Sequence, residues 1–388
     1  MIGGLQPRIL LLAGEESGVL YAERLVERLR AAGAEVRGYG DYGFRTADLA
    51  VMGFWPVLRK LFYFLGVART MKRAIREERP HAVVTVDYPG LNLKLAAYAK
   101  RLGIPAIHIV CPQVWAWHRN RIPKVAAALT ELLCFFPFEP ALFAGTGLTA
   151  KFIGHPLVKV AAGEAEPPPD RRAEAERIVA LLPGSRIGEI RRILPRLLEA
   201  ATRLAGRPSL KIVIPAANET AAREIRHLVT ARQASLPPVE VRLGGARALL
   251  RQAHCAAVAS GTATLEAALA RCPTVLVYAV SPLLAWFARR VITGVRHVGL
   301  ANVVAEKCGF EPPMPELLQE AFTPEAVAAQ LETWLSDPGA RASAVAKLDH
   351  AVGYLAVSGE PLQIAAQEIE RQLSLVPQGR VSSTSRPA

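Results

Sequence analysis

The sequence predicts an α/β protein built as two Rossmann-like, doubly wound domains. Three observations carry that prediction. Short apolar runs alternate with stretches bearing apolar residues at helical spacing along most of the 388 residues. Both halves open on a strand–loop–helix junction, RILLLAG at 8–14 and IVALLPGSR at 178–186. Between them, GEAEPPPDRRAEAER at 163–177 is rich in proline and charge and reads as a hinge.

Composition sets the limits. A hydrophobic content of 51% supports two sizeable cores, and a net charge of +13 points to acidic partners. No zinc finger, RRM or Lys/Arg block is present, so anionic lipid or a phosphorylated substrate is favoured over nucleic acid. Cys111, Cys134, Cys255, Cys272 and Cys308 are scattered without a CxxC pair and read as core thiols of a reducing compartment. No apolar run reaches membrane-spanning length, and LLLAG fits a first strand better than a signal peptide, so a cytoplasmic location is expected.

Strand 8–14 leads through Glu15-Glu16-Ser17-Gly18 into an amphipathic helix at 19–32. The loop is not GxGxxG, and no suitably placed acid argues for NAD. Further strands are expected at 36–39, 82–87, 106–110 and 132–136, with a helix at 91–102. The stretch 51–65 gathers Phe54, Trp55, Leu58, Leu61, Phe62, Phe64 and Leu65, with Arg69, Lys72 and Arg73 following. It reads as a core helix or as an interfacial helix whose cations meet lipid phosphates. The net charge favours the membrane surface.

Asp87 ends a strand at the edge that faces the ligand crevice in open α/β sheets, as a general base or as the cap of the next helix. CPQVWAW at 111–117 places Trp115 and Trp117 where they wall a pocket or simply pack. His155, in FIGHP, is by default a structural hydrogen-bonder.

In the second half, Pro183-Gly184-Ser185 breaks the strand before a helix at 190–204. Such a junction aims backbone N–H groups and a helix N-terminus at one point. Gly184 allows close approach, Ser185 is a candidate cap, and Arg186 offers a planar fork for a diphosphate. The competing reading is a turn and a cap with no ligand. Strands follow at 210–215, 239–243, 256–259 and 274–279. ASGTATLE at 259–266 repeats the strand-end turn, with Ser260, Gly261 and Thr262 at the helix start. Glu266 lies one helical turn beyond Thr262, for ribose hydroxyls or as a solvated acid. Domains are expected at 1–162 and 178–341, with a linker at 163–177. A helical segment at 342–374 is expected to pack on the first domain or a partner, and the tail 375–388 to be disordered.

AGEESG, LAVMGF, PQVWAW, FPFEP, FIGHP, LLPGSR, ASGTATLE and PELLQE occur in that order over residues 8–335. Together they closely resemble the lipid-A-disaccharide synthase family, whose architecture is GT-B, with two Rossmann-like domains facing an interdomain cleft. The resemblance implies transfer of 2,3-diacylglucosamine from UDP to 2,3-diacylglucosamine 1-phosphate, giving a β-1,6 disaccharide with inversion and without cofactor or metal. The absence of any DxD agrees with charge neutralisation by fixed dipoles and arginine.

Residue by residue, the resemblance makes Asp87 the candidate base. It places Gly184, Ser185 and Arg186 on the departing diphosphate, with Ser260, Gly261, Thr262, Glu266 and Asn302 on the donor. Ser17, Gly18, Trp115 and His155 lie on the acceptor side of the cleft. Phe54, Trp55, Leu58, Leu61, Phe62 and Leu65 form a membrane-docking surface on the inner face of the cytoplasmic membrane, and exchange of the C-terminal segment would give a homodimer.

This chain departs from the family pattern at Val19, Gly90, Ala279, Ala301 and Glu306-Lys307. Those departures keep other readings open. One is a GT-B paralogue with another acceptor, or a UDP-sugar epimerase. Another is a non-catalytic lipid- or nucleotide-binding relative.

Overall fold

In both halves the strands that form the sheet centres are largely apolar runs, with Thr85 and His108 the polar residues of the central pair in the first. A computed structural model of the chain describes residues 6–14, 16–44, 61–163, 176–281, 285–286, 290–291 and 293–375. The chain divides into two units, Met1–Pro156 with Val357–Ala388, and Leu157–Ala356.

The first unit holds β1 (Arg8–Ala13), β2 (Glu35–Arg37), β3 (Ala82–Val86), β4 (Ala106–Ile109), β5 (Glu131–Cys134) and β6 (Thr149–Phe152). They form a parallel sheet in the order β2-β1-β3-β4-β5-β6, with Leu10 opposite Val83 and Thr85 opposite His108. Alternation divides the core: Leu10, Leu12 and Val83 pack with Met71, Ile75 and Leu95. Their neighbours Ile9, Leu11 and Val84 pack with Leu25, Leu29 and Ile369. The strand order reverses between β1 and β3, which is the switch point where such sheets take ligands.

The second unit holds β7 (Arg177–Leu182), β8 (Leu210–Ala216), β9 (Val239–Leu243), β10 (Cys255–Ala259), β11 (Thr274–Tyr278) and β12 (Glu316–Leu318). Its parallel order is β12-β11-β10-β7-β8-β9, so the switch point lies between β7 and β10. The helix Ile187–Thr202 buries Ile190, Ile193, Leu194, Leu197 and Leu198 against this sheet.

Two boundaries differ from expectation. The first unit closes at Pro156, not 162, because the helix Pro156–Gly163 runs almost wholly in the second unit. The segment 342–374 is not one element. The helix Pro338–Gly353 belongs to the second unit, and Pro361–Ser374 returns to the first. There Ala365, Ala366, Ile369 and Leu373 complete the core. Arg371 and Gln372 donate to the buried Glu131 carboxylate at 2.9 and 2.6 Å. Most of the linker 163–177 and all but Leu375 of the tail lie outside the described residues.

Candidate active site

β3 is a run of β-branched residues buried along its whole length, and it ends in an unusual corner. Asp87 and Tyr88 both take left-handed backbone, with φ of 51° and 50°, before Pro89 opens the helix Pro89–Arg101. Side chains other than glycine pay roughly 1–3 kcal/mol each for such a conformation. The corner is held by several bonds. Asp87 N–H donates to Ile109 O at 3.0 Å, and Tyr88 N–H to Asp87 Oδ1 at 2.8 Å. The fully buried Asn92 shares its Nδ2 hydrogens among the carbonyls of Asp87, Val86 and Leu12 at 2.8, 3.3 and 3.2 Å. Its Oδ1 accepts from the buried Tyr39 hydroxyl at 2.8 Å. One amide thus ties β1 to β3 across the switch point.

The corner leaves the Asp87 carboxylate half-buried at the sheet edge, and burial pushes its pKa above the ordinary value against the opposing bond from Tyr88. Gly14 is required by close approach, since a Cβ there would stand 2.6 Å from the Tyr88 ring. A Cβ on Gly18 would stand 3.2 Å from Asp87 Cβ, so the structure brings Gly18 and Asp87 together. Ser17 falls in the helix Glu16–Ala31, its side chain lying outside the described residues. Asp87 does not cap the following helix: Tyr88 holds that position, without a side-chain capping bond.

Farther along the same edge, Trp115 and His155 are not open to a ligand. Trp115 is 4% exposed, packs edge-on against Phe136 and Phe138, and donates from Nε1 to Glu139 Oε1 at 3.0 Å. His155 is 6% exposed between the rings of Phe135 and Phe136, and burial pushes its pKa down to about 4. The acceptor-side expectation is corrected: both residues are buried supports, because the turn after β5 folds Phe135, Phe136 and Phe138 into an aromatic knot against them.

Glu139, a letter of FPFEP given no role from sequence, sits at the centre of that knot. Its Oε2 accepts from Phe136 N–H at 3.1 Å, and burial pushes its carboxyl up to about 8. Cys111, Cys134 and Glu139 place ligand atoms within 4.8 Å of one another. Both Glu139 oxygens accept N–H bonds, and all three residues are buried among the rings of the knot.

At the second unit's switch point, β7 ends in Pro183-Gly184-Ser185, with Gly184 at φ 102°. Arg186, not Ser185, is the N-cap of the helix Ile187–Thr202, and it makes no side-chain capping bond. The exposed Arg186 guanidinium pairs through Nη1 with Glu189 Oε1 at 2.9 Å. Beyond β10, Gly261 at φ 149° opens the helix Thr262–Leu269, and no side chain caps it. Ser260 Oγ donates to Val298 O at 3.4 Å, Thr262 is exposed, and Glu266 pairs with Arg247 at 3.5 Å. The two loops singled out from sequence therefore flank one switch point.

Asn302 is the main correction here. It is fully buried, donating to Met314 O and Glu316 Oε1, each at 2.8 Å, and accepting from Met314 N–H at 3.0 Å. Its amide is committed to the fold and reaches the edge only through Glu316. That carboxylate, read from sequence only as a letter of PELLQE, receives the N–H groups of Val298 and Gly299 at 3.1 and 3.0 Å. It thereby fixes the entry to the helix Leu300–Cys308 beside Ser260. Glu306 holds the preceding turn, accepting from the N–H groups of Arg296 and His297.

The helix Leu61–Glu78 shows both faces that the sequence left open. Val67, Met71, Ala74 and Ile75 are core, whereas Phe62 is 85% and Leu65 43% exposed, on a stripe continued by Arg69, Arg73 and Arg76. Phe54, Trp55 and Leu58, and the side chain of Leu61, lie outside the described residues. No described helix is long and apolar enough to cross a membrane.

Two doubly wound parallel six-stranded sheets, matched by solved structures over nearly the whole chain, place the protein in the GT-B class of glycosyltransferase fold. The solved structure of Acinetobacter baumannii MurG matches with a TM-score of 0.60 at 15% identity, covering 94% of this chain and 99% of that one. Staphylococcus aureus MnaA with UDP matches with a TM-score of 0.60 at 11% identity, covering 96% and 98%. The profile of the family described as Lipid-A-disaccharide synthetase matches residues 9–354, and the chain belongs to that family of hexosyltransferases. The lipid-A-disaccharide synthase of Anaeromyxobacter dehalogenans (strain 2CP-1) is 36% identical over 94% of this chain and 97% of its own length. That of Myxococcus xanthus is also 36% identical, over 97% and 99%. The Neisseria meningitidis enzyme is 33% identical over 94% and 97%.

Proposed function

We propose that the chain joins UDP-2,3-diacylglucosamine to 2,3-diacylglucosamine 1-phosphate through a β-1,6 bond, with inversion. Asp87 takes the proton from the acceptor 6-hydroxyl as that oxygen attacks the sugar C1, and the bond from C1 to the diphosphate breaks. The carrying observation is the Asp87 corner: a carboxylate raised in basicity by burial and held in a conformation that its own side chain disfavours. Arg186 and the uncapped first turn of the helix Ile187–Thr202 neutralise the departing UDP. Gly184, Ser260, Gly261, Thr262 and Glu266 complete the donor side.

The stripe from Phe62 to Arg76 supports docking on an anionic membrane surface, where acylated substrates reside. Arg73 and Arg76 are partly neutralised by Glu77, so Phe62, Leu65 and Arg69 carry most of that role. Mass spectrometry of the products formed from both acylated substrates tests the reading. A diacylglucosamine disaccharide 1-phosphate with released UDP is expected. Sugar isomerisation without acceptor, or UDP binding without turnover, would overturn it in favour of an epimerase or a binding protein.

A further inference from the structure

The first turn of the helix Ile187–Thr202 already holds an anion of its own. Glu189 Oε2 lies 2.5 Å from where a Cβ on Gly184 would stand, so the carboxylate rests directly on the glycine of the loop. Its Oε1 takes Arg186 Nη1 at 2.9 Å. The helices beginning at Glu219, Pro324 and Pro338 are capped by the side chains of Asn218, Thr323 and Asp337, whereas the N-caps of those beginning at Pro89, Ala246, Thr262 and Leu300 make no such bond. The N-cap here, Arg186, provides no such bond. A negative side chain in an uncapped first turn, bonded to the loop arginine and seated on the loop glycine, has the contacts that a diphosphate would make.

We infer that Glu189 is a placeholder for the leaving group: it takes Arg186 and rests on the Gly184 turn, so a diphosphate on the same groups competes with it. Two anions cannot share one exposed guanidinium without mutual repulsion, so Glu189 lowers the affinity for UDP and speeds its release once the sugar has been transferred. The inference rests on the donor-site reading above and adds to it a positioning residue that acts through Arg186.

Calorimetric titration of UDP into the full chain tests it, with Glu189→Gln, Glu189→Ala, Arg186→Ala and the Arg186→Ala/Glu189→Ala double variant. Removing the Glu189 charge should tighten UDP binding on the order of threefold to tenfold, the scale of an exposed ion pair plus a charge at a helix end. The gain should shrink in the Arg186→Ala background, and product inhibition by UDP should strengthen in the same order. Merely structural damage would weaken binding, so tightening distinguishes the two. Equal or weaker binding by both Glu189 variants, with wild type still binding UDP, overturns the inference. No UDP binding by wild type would bring down the donor-site reading itself.

Discussion

The two switch points occupy the same place in their sheets and hold opposite chemistry. Between β1 and β3 the edge is tight and apolar: glycines at 14 and 18 admit a tyrosine ring and an aspartate, and one buried amide ties the strands. Between β7 and β10 it is open and polar, with an exposed arginine, exposed hydroxyls and helix starts that no side chain caps. Topology decides where a ligand can approach. Local burial decides what the site does there, because a desolvated carboxylate gains basicity while an exposed guanidinium stays a displaceable counter-charge.

Five changes sharpen that contrast. Asp87→Asn keeps the shape and removes the base. Transfer should fall on the order of 10²- to 10⁴-fold while UDP affinity is unchanged, as read by steady-state kinetics and calorimetry. In wild type the rate should decline, as pH falls, through a value above the ordinary 3.8 of aspartate. Equal loss of transfer and UDP binding would make Asp87 a structural acid and erase the contrast.

Arg186→Ala should cost about 10²- to 10³-fold in kcat, the scale for removing a preorganised charge donor. Activity within twofold of wild type would remove it from the site. Asn92→Ala strands three carbonyls and the Tyr39 hydroxyl in the interior. It should destabilise the chain by about 2–4 kcal/mol in urea denaturation, whereas the exposed Thr262→Ala should cost less than about 0.5.

Glu139→Gln leaves the transfer chemistry alone and changes how stability depends on pH. The Glu139 carboxyl is raised from 4.5 to about 8 on folding, so the folded chain keeps a proton that the unfolded chain has released. Its stabilisation is full below 4.5 and declines as pH rises to about 8. The glutamine variant should flatten that decline in melts taken between pH 5 and pH 8. A stability difference between the two proteins that does not change with pH would show Glu139 ionised in the fold.

Much of this was legible in the residues. IVALL, AVVTV and RILLLA have to be buried strands, since each is apolar on both faces, and the glycine, serine and proline after them have to be turns. β6 and β12 went unread because they are short, half-buried edge strands whose patterns, TAKF and ELL, resemble many loops. Arg186 was legible as a loop arginine at the switch point. The Glu189 contact was not, because an acid three residues later looks the same whether it points to solvent or folds back over a glycine.

By itself the sequence determined the two-sheet α/β architecture, the family and the loops that lie at the switch points, because all of these are written in local runs of residues. Tertiary structure alone decided that Asn302, Trp115 and His155 are buried supports, and that the last helix returns to the first sheet. Those outcomes turn on which surfaces meet across hundreds of residues. An amphipathic pattern announces that a face will be covered, but its covering partner is chosen only when the chain packs.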